Sequence, residues 1–448
     1  MSLNNPENKL WWFIPLPALA MWVGWGVRGQ LGHWTGAMIP GALLGLALSI
    51  LLKGKRFSPG LVVGLAASGY GFGAAQTTLQ TAGYLMATNH DHVVKLGISL
   101  PGLAIKGGLW ATFVGTGLGL ALVAYRYSKR DVVVGLLLLV AAFYAGWWVI
   151  DRPRLIYFSV DRPEIWGGLL VGVIPLLAWV TVRGGTRIPL RLAGYAALAG
   201  GLGYPFAVSL AAAGINFTHI RQDWWKLAET TFGACMGAGI ALGTYRIQDQ
   251  LPVEETKEAQ TTLPVRPWDA ILGAALAVAG TEALARGVLP WIILGALLWC
   301  AAFYSAKAGW QIGVTMTFFG TVANLVDFWS REQKFGHSVL LWALAGFATL
   351  VVAWKVARWS AEPQGAAVRK TFLSLLWAIV GLSFLVSFVN RAVLRPTAGA
   401  VAAAGDQWPY LVQMWHRVLV VEGGFTVAAV VLTWLVFQIS HRQESAGI

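Results

Sequence analysis

Apolar runs of about 18–25 residues recur from one end of this chain to the other, each long enough to cross a bilayer as a helix. That recurrence decides the fold class. In lipid every backbone N–H and C=O must be satisfied within the protein, which leaves helices or a closed barrel. The short alternating strands of a barrel are absent, so the chain is expected to be an all-α, polytopic membrane bundle. Composition agrees: 57% of residues are hydrophobic and 12% charged, against roughly 25% charged in a soluble protein.

Spans are expected near 10–27, 34–52, 60–88, 99–125, 132–150, 165–182, 192–214 and 227–245, then near 268–285, 288–306, 310–329, 338–356, 371–390 and 418–438. That makes about fourteen, with the pair around Arg286 separated only by Arg286-Gly287. Ala18-Leu19-Ala20 faintly resembles a signal-peptidase site, but apolar sequence continues to Val27 and the first helix is read as retained.

The net charge of +13 would suggest a nucleic-acid partner in a soluble protein. Here the cations fall in short loops, where the bias of Lys and Arg toward the cytoplasmic side is a sufficient cause, and no nucleic acid is expected. With a cytoplasmic N-terminus, alternate loops hold Lys53, Lys55 and Arg56; Arg126, Lys129 and Arg130; Arg183, Arg187 and Arg191; and Arg246, Lys257 and Arg266. The expected location is therefore the inner (plasma) membrane, multi-pass, with both termini cytoplasmic. On this topology His33, His90, His92, His219, His337 and His416 all lie at outer ends or loops, and only His441 lies inside.

An ungapped match joins Lys106–Arg126 to Lys226–Arg246, with Gly117/Gly237, Gly119/Gly239, Tyr125/Tyr245 and the terminal arginines coinciding. The repeat unit is four helices. Four is even, so the copies enter the membrane from the same side and are expected to be parallel. Residues 1–130 form the first copy, 131–247 the second, 248–267 a cytoplasmic linker and 268–448 a C-terminal part of about six helices, in which spans nine to twelve could be a degraded third copy. Gly41-x3-Gly45, Gly115-x3-Gly119, Gly233-x3-Gly237 and Gly239-x3-Gly243 are expected to serve close helix packing.

The candidate site residues are polar groups near the outer ends. Lys226 and Glu229 are three apart and can pair on one helical face. His219, Arg221 and Asp223 alternate just before them, and Trp224 and Trp225 would suit the headgroup belt. Lys106 is the counterpart of Lys226, sits deeper in a glycine-rich span, and has no acid near it in sequence; a membrane-embedded lysine needs a partner or a cavity. Arg28 and His33 flank a tight glycine turn, Gln76 and Gln80 form a polar patch inside a span, and Asp327 precedes Arg331 by four residues. Asp151-Arg152-Pro153 and Asp161-Arg162-Pro163 are expected to start turns or to cap the next helix.

His90-Asp91-His92 lacks a third ligand nearby and does not define a metal site. Phosphate-cradling loops, His-Glu-x-x-His and Gly-x-Ser-x-Gly are missing, and no cofactor is expected. Two functions lead, ahead of a sensor, an assembly partner or a structural protein. The first is a transporter or flippase-like permease for an anionic, sugar-type or lipid-linked solute, working in the lipid bilayer and compatible with a homo-oligomer. The second is an outward-facing membrane glycosyl- or acyltransferase, with His219 or His33 as base and Asp223 or Asp161 orienting it or acting as acid.

Overall fold

The computed structural model of the protein describes residues 12–31, 36–74, 78–87, 93–159, 164–218, 223–253, 266–285, 288–331, 339–388 and 407–445. Among them the only strand-like feature is one bridge between Lys55 and Val253; the rest of the regular structure is helical. Among the described residues seven helical segments are long and apolar enough to cross a membrane, and Met38–Leu51, Pro59–Phe72 and Ile292–Tyr304 are shorter apolar helices. The protein is a helical membrane protein.

The first nine helices are α1 (Pro15–Leu31), α2 (Met38–Leu51), α3 (Pro59–Ala74), α4 (Thr78–Met86), α5 (Leu100–Leu122), α6 (Lys129–Gly146), α7 (Trp166–Gly184), α8 (Ile188–Phe217) and α9 (Trp224–Ile247). Then come α10 (Pro267–Ala285), α11 (Val288–Tyr304), α12 (Ala306–Trp310), α13 (Thr317–Arg331), α14 (Val339–Trp359), α15 (Gln364–Phe388) and α16 (Gln407–Ser445). Three π-helical turns interrupt them, at Val93–Ser99, Trp147–Asp151 and Gln311–Met316. The span expected over 60–88 holds α3 and α4, with residues 75–77 outside the described set, and the one over 310–329 contains a π turn.

Local chemistry sets several boundaries. Ser128 and Asp131 form a reciprocal capping box that starts α6. Gly185, at φ 56°, supplies the left-handed residue that ends α7. Pro189 opens α8, where its missing N–H costs nothing.

Six helices close a ring: α1 packs on α2, α2 on α3, α3 on α5, α5 on α8, α8 on α9, and α9 back on α1. The α5–α8 contact is the most extensive in the protein. Small residues permit it. A Cβ on Gly107 would stand 2.5 Å from the Gly200 carbonyl oxygen, and one on Gly115 2.5 Å from that of Leu192. Gly119 faces Pro189 in the same antiparallel register. All four glycine pairs noted in the sequence serve such contacts: Gly41 and Gly45 meet α3, Gly233 and Gly237 meet α1, and Gly239 and Gly243 meet α8.

Burial separates centre from rim. Within the most apolar 18 residues of each span, 89% are buried in Val94–Leu122, against 28% in Lys129–Asp151 and 22% in Val339–Trp359. The rim exposes Leu137, Leu198, Leu202, Phe206, Phe347 and Trp434, an apolar outside that lipid, not water, would cover. The α15–α16 pair lies against α1 and α2, and the α10–α14 group lies against α3 through α11, α12 and the π turn Gln311–Met316.

Candidate functional site

Two lysine–carboxylate clusters sit on the ring. They stand at the same end of the bundle, because Arg56 lies over the ring of Tyr125, just past α5, and donates its backbone N–H to the Pro252 carbonyl, just past α9. Lys106 and Lys226 are each about 20 residues before those ends, or roughly 30 Å along a helix.

Lys106 is fully buried. Its Nζ donates to Thr81 Oγ1 (2.9 Å), to Ser159 Oγ (3.1 Å) and to the Glu164 carboxylate. The ammonium thus meets acceptors from α4 and from the segment before α7. Glu164 is held by a second bond, accepting the Phe158 backbone N–H at 2.8 Å. Asp151 closes this side: its two oxygens accept the Gly167 and Gly168 N–H groups at 3.0 and 2.7 Å, capping α7 from sixteen residues upstream. Two π turns flank the cluster, one leading into α5 and one ending at Asp151; such turns often mark functional positions. The acid that the sequence did not reveal beside Lys106 is Glu164. It lies 58 residues away, beyond the reach of helical spacing.

The second cluster joins α1 to α9. Lys226 Nζ donates to Glu229 (2.8 Å), the pair expected from their spacing, and to the Gly26 carbonyl (2.9 Å). The Arg28 guanidinium stands 3.9 Å from the other Glu229 oxygen. Two cations therefore share one carboxylate, and Arg28 Nε, though buried, has no hydrogen-bond partner among the described residues. Gly29 makes this approach possible, since any Cβ there would collide with the Glu229 carboxylate and the Lys226 ammonium. Asp223 accepts the Lys226 backbone N–H at 3.1 Å, so its role here is the cap of α9.

Aromatic rings connect the clusters through the centre of the bundle. Arg28 lies 5.1 Å from the Trp25 ring and 5.7 Å from the Trp110 ring. Trp110 is one helical turn after Lys106, and its Nε1 donates to the Tyr70 carbonyl at 2.6 Å. Trp25, Phe232 and Tyr204 complete the group, with Trp25–Trp110 centroids 4.8 Å apart and Tyr204 stacked on Phe232 at 4.3 Å. None of these aromatics was singled out in the sequence.

Of the remaining candidates, Gln80 lies on α4, half-buried, beside Thr81. His33, Gln76, His219 and Arg221 lie outside the described residues, as do His90, His92 and Asp161. Asp327 lies in α13, its side chain outside the described set. Two polar positions were missed. Glu422 on α16 is 1% exposed and accepts from Ser383 (2.9 Å) and Ser387 (2.5 Å) on α15. Gln311, in the third π turn, donates to the Ala353 carbonyl (3.0 Å) and accepts from Thr315 (2.5 Å). An acid or amide within an apolar run was the available signal for both. Among the described residues no group of three or more His, Cys, Asp or Glu could hold a metal ion. Compared with family models, curated proteins and solved structures, the chain matches none.

Proposed function

We propose that the protein is a multi-pass membrane permease whose solute carries an anionic group, with its polar site near the extracytoplasmic face. One observation carries the reading: Arg28 and Lys226 share a single carboxylate, and a buried guanidinium N–H has no acceptor among the described residues. A buried donor of this kind costs free energy unless something bonds to it, and a guanidinium is suited to phosphate or carboxylate. The rings of Trp25 and Trp110 below it suit a sugar face or the head of a lipid-linked glycan. The sealed Lys106–Glu164 pair is then a second station on the path, reached by rearrangement of the ring helices.

Finer features belong to the same proposal: about fourteen spans, a parallel four-helix duplication, and cytoplasmic termini in the plasma membrane. The packing of α3 on α5 and of α8 on α9, together with the paired lysines, supports the duplication. The close α2–α3 contact has only a slight counterpart between α7 and α8, so the two copies would have diverged there.

Sealed proteoliposomes test the function, with radiolabelled inorganic phosphate, glucose 6-phosphate and a fluorescent short-chain phosphatidylglycerol as probes. Saturable movement of at least one probe is expected, lost in Arg28→Gln and retained in Lys355→Gln. If no probe moves, while the detergent-solubilised protein turns over a lipid-phosphate glycosyl or acyl donor without a sealed compartment, the transferase reading replaces it.

A further inference from the structure

At the opposite end of the bundle, a cavity of about 200 Å³ opens where α2 ends, α15 begins and α16 finishes. Lys53, Gln364, Gly365, Arg369, Ser440 and Gln443 are among its walls. Three features there are independent of the Arg28 and Lys106 clusters.

Lys53 is the first. It is half-buried, yet it makes no hydrogen bond or ion pair with any described residue. Its side chain lies across Gly365, where a Cβ would stand 3.3 Å from Cε and 3.9 Å from Nζ. The ammonium therefore faces the first turn of α15, the positive end of a 25-residue helix. Two like charges oppose each other there.

Gln364 is the second. Its Nε2 is buried with no partner among the described residues. The backbone adds donors of its own. Ala366 and Ala367 return their N–H groups to the Pro363 carbonyl, while those of Gln364 and Gly365 open the helix and have no intrahelical acceptor.

The third is the charge balance. Arg369 pairs with Glu444 at 3.8 Å, and Glu444 is 62% exposed. The cavity thus keeps one uncompensated cation, a helix N-terminus and an idle amide donor, and each asks for an acceptor. Gln443 is already engaged, donating to the Ile50 carbonyl at 2.9 Å and fixing α16 against α2.

We propose that this cavity binds a phosphate group, held by Lys53, Gln364 Nε2 and the first amides of α15. The volume admits several water-sized groups, and helix N-termini are ready-made sites for such anions. The phosphate belongs either to an anionic lipid of the adjacent leaflet or to a free solute.

The test is thermal stabilisation of the full chain in detergent. Dioleoyl phosphatidic acid, inorganic phosphate and dioleoylglycerol, which has no phosphate, are titrated separately. Saturable stabilisation by phosphatidic acid or phosphate, and none by dioleoylglycerol, is expected. Phosphatidic acid alone identifies a lipid headgroup; activity of both probes identifies the phosphate itself as sufficient. Lys53→Gln should weaken binding about tenfold, the usual worth of one charge-assisted contact, and Gln364→Leu several-fold. Lys355→Gln, a basic position outside the cavity, should bind as the wild type does. The ligand-free Tm of Lys53→Gln should be unchanged or higher, since the lysine has no partner to lose; if that variant nevertheless fails to fold, Gln364→Leu carries the test. The proposal is overturned if neither phosphate probe stabilises the wild type, if Lys53→Gln and Gln364→Leu bind normally, or if Lys355→Gln weakens binding equally.

Discussion

Replacing Glu164 by glutamine keeps the shape of the Lys106 cluster and removes its charge balance. One carboxylate oxygen accepts from Lys106 and the other from the Phe158 N–H. Glutamine offers one acceptor and two donors, so whichever way the amide turns, a donor faces a donor. Breaking one side of a buried ion pair costs about 3–5 kcal/mol, because the remaining charge stays buried and uncompensated. With an unfolding entropy of about 2 cal/mol/K per residue, 1 kcal/mol is worth about 1 °C across a chain of this length, so Glu164→Gln should melt about 3–5 °C lower. Lys106→Met alone leaves a buried carboxylate and should also be destabilised. In the double variant the glutamine can accept from Phe158 and donate to Ser159 or Thr81, and about 1 kcal/mol or less of the deficit should remain. Tryptophan fluorescence follows melting of the intact chain, which has 24 tryptophans. Single variants that melt with the wild type, or losses that simply add in the double variant, would refute the claim that these two groups neutralise each other inside the membrane.

Other substitutions probe separate parts of the account. Gly119→Leu drives a side chain into Pro189 and must spread α5 from α8; overpacking costs about 1–3 kcal/mol or more, and size-exclusion chromatography should show a loss of monodisperse protein. Asp151→Ala removes the carboxylate that caps α7, and a fall of about 1–2 °C in Tm is expected. Glu362→Gln breaks a pair with Lys370 whose lysine is about half exposed; its effect should stay below about 0.5 kcal/mol, indistinguishable from wild type in the same melt. Arg28→Lys keeps the charge but loses the planar fork, and in the proteoliposome assay it should raise the half-saturating concentration of a transported probe about tenfold.

Features set by neighbours along one helix were legible in the sequence. Lys226 and Glu229 meet because three residues bring them to one face, and the glycine pairs meet neighbouring helices because no other side chain allows that approach. Features set by distant segments were hidden. Glu164 reaches Lys106 from a loop after α6, and Arg28 reaches Glu229 across the closure of the ring between its first and last helices. Hydropathy marks apolar length and is blind to π turns, so the one at Gln311–Met316, inside an expected span, left no trace in it. Trp25 and Trp110 were hidden for another reason: an interfacial belt and a central aromatic floor use the same residue. Glu422, by contrast, was visible as an acid in an apolar run and needed only to be weighed.

The central claim is that both lysine clusters line one path and are reached from the same side of the membrane. Side-specific labelling tests it in sealed vesicles of known orientation. Ser159→Cys, beside Lys106, and Thr230→Cys, beside Lys226, are placed singly in a Cys235→Ala/Cys300→Ala chain. Both positions are at most 3% exposed, so reaction with a membrane-impermeant maleimide requires the ring to open. The account predicts that both react, and from the same side. Reaction from opposite sides, or inertness of both to reagent added on either side, would contradict it.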